Sequence, residues 1–69
     1  MDKKGFGKKI KLARIEIDLT QEQLAEKINT KQKNISRYET GSSMPSIETL
    51  VKIAKVLKKP FSFFLNEII

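Results

Sequence analysis

The chain has 69 residues, with 14 Lys and Arg against 8 Asp and Glu, a net charge of +6 and a pI near 9.8. That length allows one domain with a small core, and the basic balance favours an anionic partner such as nucleic acid or a membrane face. There is no Cys and no His, which removes disulfides, thiolate metal sites, the usual zinc ligand and the usual general base.

The N-terminus, MDKKGFGKKI, has a basic start without the long apolar stretch of a secretory signal. No apolar run approaches the roughly 20 residues that cross a bilayer. A soluble, cytoplasmic protein with no membrane partner is expected. The first helix is predicted over about 6–17, where Phe6, Ile10, Ala13 and Ile17 recur at spacings of three and four. Leu12 and Ile15 fall off that face.

The second helix starts at the clearest local signal in the chain. Thr20 and Gln23 form a T-x-x-Q capping box, and Leu19 and Leu24 occupy the two staple positions around it. Leu24, Ala25 and Ile28 make its buried stripe. Asn29 follows, a residue that tolerates left-handed backbone. Thr30 is the expected cap of a third helix that runs to about Thr40 and stops at Gly41.

The linker GSSMPS leads to a fourth helix capped by Ser46, with Glu48 in its first turn. Its apolar stripe is predicted to be Ile47, Leu50, Val51, Ala54 and Leu57, and Lys58 and Lys59 suit its C-terminal end. Pro60 can occupy the first turn of a fifth helix. There Phe61, Phe64, Leu65 and Ile68 share one face and Phe63 points the other way.

Helices two and three are separated by about three residues, the spacing of a helix-turn-helix. At about 100° per residue, Ile35 and Tyr38 lie within about 60° of each other and form the buried back of the third helix. Lys33, Ser36, Arg37 and Thr40 face the opposite way, and Gln32 flanks them near the helix start. Glu39 sits near the border with the core. A DNA major groove asks for such a front: Arg and Lys donate to guanine, Gln pairs with adenine, and Ser can do either. The competing reading is an ordinary solvated amphipathic helix. Tyr38 could in principle stack on a single-stranded base, but its place beside Ile35 argues for packing.

These pieces together resemble the phage-repressor-like helix-turn-helix family, the XRE or Cro-like type. The carrying residues are Ile10 and Arg14, "LTQEQLAEKI" at 19–28, "NISRYETG" at 34–41, "PSIETLVKIAKVL" at 45–57 and "PFSFFL" at 60–65. The resemblance spans nearly the whole chain. It implies an all-α, compact five-helix lambda-repressor-like domain over 1–69, with its helix-turn-helix at about 20–40. It implies binding to double-stranded DNA with the third helix in the major groove.

On that resemblance Lys31, Gln32, Lys33, Ser36 and Arg37 contact bases. Gln21, Thr40, Ser42 and Ser43 contact phosphates, with Met44 beside them. Arg14 and Glu39 form a structural ion pair that orients the third helix. Asp18, Asn29 and Lys58 stand where the family often has Gly. Leu12, Ile15 and Ile17 stand where it is usually polar.

Leu12, Ile15, Phe63 and Ile69 are apolar positions left over once a core is filled, and such positions mark a partner surface. A homodimer reading a palindrome is the natural candidate. The function expected is that of a sequence-specific transcriptional regulator, a repressor. The alternative is an antitoxin-like or adaptor module that uses the apolar C-terminal surface. An enzyme is not expected, since there is no Gly-rich phosphate loop and Glu22, Glu26, Glu39 and Glu48 are scattered on helices. Neither a cofactor nor a metal is implied, and no small-molecule effector is evident.

Overall fold

The structure is a computed structural model that describes residues 2–65. Ile68 and Ile69, expected on the fifth helix and at a partner surface, lie outside those residues. Five helices follow in order: α1 Lys3–Glu16, α2 Gln21–Lys27, α3 Gln32–Thr40, α4 Ile47–Leu57 and α5 Phe61–Leu65. There is no strand among the described residues.

Helix α1 begins three residues earlier than its apolar spacing suggests. Asp2 caps it, accepting a hydrogen bond from the Lys4 amide at 3.0 Å. A side-chain oxygen at that position satisfies an amide that the helix cannot. The first turn carries no apolar residue, so periodicity alone could not reveal it. Helix α2 starts as expected, with both arms of the capping box formed: Gln23 N–H to Thr20 Oγ1 at 3.0 Å and Thr20 N–H to Gln23 Oε1 at 2.9 Å. Ser46 caps α4 through the Thr49 amide.

Thr30 does not cap α3. The helix starts one residue later, Lys31 holds the cap position, and no side chain bonds to the first amides. The Thr30 hydroxyl instead accepts from Asn34 Nδ2 at 2.9 Å.

Three helix ends share one solution. Asp18, Asn29 and Lys58 all adopt left-handed backbone, with φ of 58°, 58° and 60°. The residue after each sends its N–H back across the turn: Leu19 to Arg14, Thr30 to Ala25 and Lys59 to Ala54. This is the bonding of a Schellman turn, which satisfies carbonyls at a helix C-terminus. Helix α3 ends instead on Gly41, at φ 83°.

The core gathers Phe6, Ile10, Leu24, Ile35, Ile53, Leu57 and Phe64, all fully buried. Phe6 and Phe64 meet edge to face, with centroids 6.5 Å apart. Ile17, Leu19, Tyr38, Met44, Phe61 and Leu65 pack around this centre, partly buried. The expected stripe of α4 needs correction. Ile47 is 74% exposed and Val51 38%, whereas Ile53 is fully buried. At about 100° per residue, Ile53, Leu57, Leu50 and Ala54 span one arc of about 100°. Val51 lies outside that arc. Ile47 lies at its edge, in a first turn that nothing covers.

Helices α1 and α3 approach closely at Gly7. A Cβ there would overlap the carbonyl oxygens of Tyr38 and Glu39. Gly7 thus seats the C-terminal half of α3 on α1, and no other residue type fits the present backbone.

Candidate nucleic-acid interface

Helix α3 is held from behind and open in front. Ile35 is fully buried and Glu39 nearly so, while Tyr38 is half-buried against the core. Lys31, Gln32, Lys33 and Arg37 are exposed, and Ser36 is half-buried between them. The donor set expected from the sequence therefore occupies one continuous outward face, with no carboxylate in it. A helix of these dimensions fits a B-DNA major groove about 12 Å wide.

The back of α3 is fixed by an ion pair. Arg14 donates from Nε to Glu39 Oε2 at 2.6 Å and from Nη2 to Oε1 at 3.1 Å. Its third nitrogen, Nη1, donates to the Leu19 carbonyl at 2.6 Å. One guanidinium thus joins the end of α1, the entry to α2 and the last turn of α3. Such a bidentate, desolvated pair gives geometric definition more than net stability. No buried polar side-chain atom among the described residues lacks a partner.

Gln21 stands at the first position of α2, half-buried. Its amide nitrogen donates to Glu39 Oε1 at 3.0 Å, and its oxygen receives Gln32 Nε2 at 3.4 Å. Sequence reasoning placed Gln21 at the surface as a phosphate ligand and did not see this inward bond.

The loop after α3 folds back on the helix end. Thr40 Oγ1 donates to the Arg37 carbonyl at 3.3 Å and lies 2.9 Å from Ser42 Oγ. The Ser43 amide donates to the same Arg37 carbonyl at 3.3 Å. Thr40 and Ser42 are exposed and Ser43 is half-exposed, so three small polar residues line one rim of the α3 front. Met44 turns inward to the core.

Two expected partner positions, Leu12 and Ile15, are 56% and 50% exposed on α1. Phe63 differs from a bare apolar residue. It is half-buried and meets Phe64 edge to face at 5.1 Å. Lys9 and Lys59 place their ammonium groups 4.8 and 5.0 Å from its ring centre. A cation over an aromatic face is attracted by the ring quadrupole. Lys59 also pairs with Glu16 at 3.1 Å. No helix among the described residues is long and apolar enough to cross a membrane.

Comparison with known proteins agrees with this geometry. A helix-turn-helix family model matches residues 10–64. The chain is 34% identical over 62 residues to the cryptic phage CTXphi transcriptional repressor RstR of Vibrio cholerae, covering 90% of this chain and 56% of that protein. It is 36% identical over 64 residues to the HTH-type transcriptional activator BcrR of Enterococcus faecalis, covering 93% and 29%. It is 43% identical over 51 residues to multiprotein-bridging factor 1 of Candida albicans, covering 74% and 34%. The chain spans about a third to just over half the length of these relatives. The crystal structure of the clp gene regulator ClgR from C. glutamicum has the same fold, with a TM-score of 0.83 at 22% identity over 91% of this chain and 82% of that one. The chain belongs to the XRE-type helix-turn-helix family, a family of DNA-binding transcription regulators.

Proposed function

We propose that this chain is a cytoplasmic, sequence-specific transcriptional repressor that binds a two-fold operator as a homodimer. One observation carries the reading: α3 is anchored by Ile35 and Glu39 while its opposite face offers Lys, Arg, Gln and Ser side chains, and no carboxylate, to solvent. Lys31, Gln32, Lys33, Ser36 and Arg37 contact base edges, and Gln21, Thr40, Ser42 and Ser43 contact phosphates on either side. Phosphate contacts fix the register of the helix, and base contacts carry the sequence information. Arg14 and Glu39 hold the angle at which α3 enters the groove. A second copy packs on the exposed Leu12 and Ile15 of α1, with Phe63 at its margin. The repressor role is supported by similarity to a protein named a phage repressor, although another relative is named an activator.

The test is selection of bound duplexes from a random pool at physiological salt. A palindromic consensus with half-sites about one helical turn apart is expected. Binding without a consensus, lost as salt rises, would show only electrostatic attraction. It would favour a second reading, an adaptor or antitoxin-like module. That reading is supported by the exposure of Leu12, Ile15, Ile47 and Val51 and by similarity to a protein named a bridging factor.

A further inference from the structure

The Arg14–Glu39 pair is connected to the outward face. Glu39 accepts three hydrogen bonds, two from Arg14 and a third from Gln21 Nε2. An ionised carboxylate can only accept. Gln21 must therefore turn its nitrogen inward and its oxygen outward. That oxygen meets Gln32 Nε2, at the first position of α3. A buried charge thus dictates the direction of two successive amides, the second of them exposed.

We propose that Glu39 is a positioning residue for sequence reading: its charge fixes the polarity of the Gln21–Gln32 amide pair and so selects the edge that Gln32 shows to a base. The proposal rests on the DNA-reading function above. With the observed polarity Gln32 spends one N–H on Gln21. It keeps its other N–H and its Oε1, a donor beside an acceptor. Adenine presents the matching pair in the major groove, the N7 acceptor and the N6 amino donor. Reversed polarity would turn Gln32 Oε1 toward Gln21 and exchange the places of donor and acceptor on the outward edge, out of register with adenine N7 and N6. Gln21 retains one N–H for a phosphate in the observed arrangement.

Replacing the carboxylate by an amide tests this. In Glu39→Gln, Arg14 claims the one remaining oxygen, the new amide nitrogen faces Gln21, and Gln21 flips. Gln21→Ala removes the middle link and leaves the Arg14–Glu39 bonds in place, so it tests the same relay where the first variant fails to fold. Base preference at every operator position is measured by competition for the wild-type chain, Gln32→Ala, Glu39→Gln and Gln21→Ala. Gln32→Ala identifies the position read by Gln32. Glu39→Gln and Gln21→Ala should lower adenine preference there by about tenfold and leave the other positions within about twofold. Gln21→Ala also loses a phosphate contact and weakens binding to all sequences alike, so the readout is relative preference: an adenine preference at the Gln32 position that is unchanged in both variants overturns the proposal. The side-chain amide resonances of Gln32 in the free protein give an arm independent of DNA. They should shift in both variants, and unchanged resonances overturn the relay even where the DNA-reading function holds. A wild-type chain with no base preference anywhere overturns both.

Discussion

Arg37 and Lys58 show what single side chains decide here. Arg37 is exposed on the front of α3, its side chain outside the ion-pair network that holds the helix. Arg37→Ala should leave thermal stability nearly unchanged. It should cost about 1–3 kcal/mol of operator affinity and relax one base position. An unchanged base-preference profile would remove Arg37 from the reading set. Lys58 poses the opposite case, a residue whose cost lies in its backbone. Its φ of 60° is left-handed, where a Cβ crowds the following carbonyl. Asp18 and Asn29 stand in the same conformation, but their short polar side chains tolerate it better. Lys58→Gly should therefore raise stability by about 0.5–1 kcal/mol, after allowing for the larger freedom of Gly in the unfolded chain. Thermal unfolding followed by circular dichroism should rise by a few degrees, about 4–8 °C per kcal/mol in a domain of this size. Asp18→Gly and Asn29→Gly should each change it less.

Among the helices, what could be read in advance was what depends on near neighbours. The Thr20–Gln23 box, the Asn29 turn and the Gly41 stop are local, and the helix-turn-helix they bound formed where expected. Arg14 and Glu39 were matched through the family resemblance, since no local rule joins residues 25 positions apart. What stayed hidden depends on orientation between helices. Val51 and Ile53 are both apolar, and only the docking of α4 decides which of them is buried. The inward bond of Gln21 likewise exists only once α2 and α3 are placed. Gly7 is the sharpest case. In sequence it is an unfavourable residue inside a helix, yet it permits α1 and α3 to approach until backbone touches backbone. Gly7→Ala gains helix propensity and loses the packing. The overlap with two main-chain carbonyls should dominate, with a net destabilisation of about 1–3 kcal/mol. A melting temperature equal to or above that of the wild type would mean that α1 slides without cost. The same variant should weaken DNA binding beyond its effect on folding, because the carbonyls displaced belong to the last turn of α3.

Over the whole molecule, charge and contact geometry lead to different expectations for salt. The net charge is +6, and a cationic side chain that neutralises a phosphate releases condensed counterions on binding. The proposed phosphate ligands Gln21, Thr40, Ser42 and Ser43 are all neutral. They can fix the register of α3 on the duplex, but they release no counterion. Whatever salt dependence the complex has must come from cationic side chains, Lys31, Lys33 and Arg37 on α3 and the other lysines of the chain. Measured as log affinity against log salt, Ser42→Ala and Thr40→Ala should weaken binding at every salt concentration with an unchanged slope. Lys33→Gln separates two roles. Where Lys33 pairs with a phosphate, the slope should fall by about 0.9 per protomer, close to 2 for a dimer, with a uniform loss across sequences. Where it donates to a guanine, the slope changes little and one operator position is relaxed. An affinity that barely responds to salt in the wild type would contradict the electrostatic part of the reading, whatever the sequence preference.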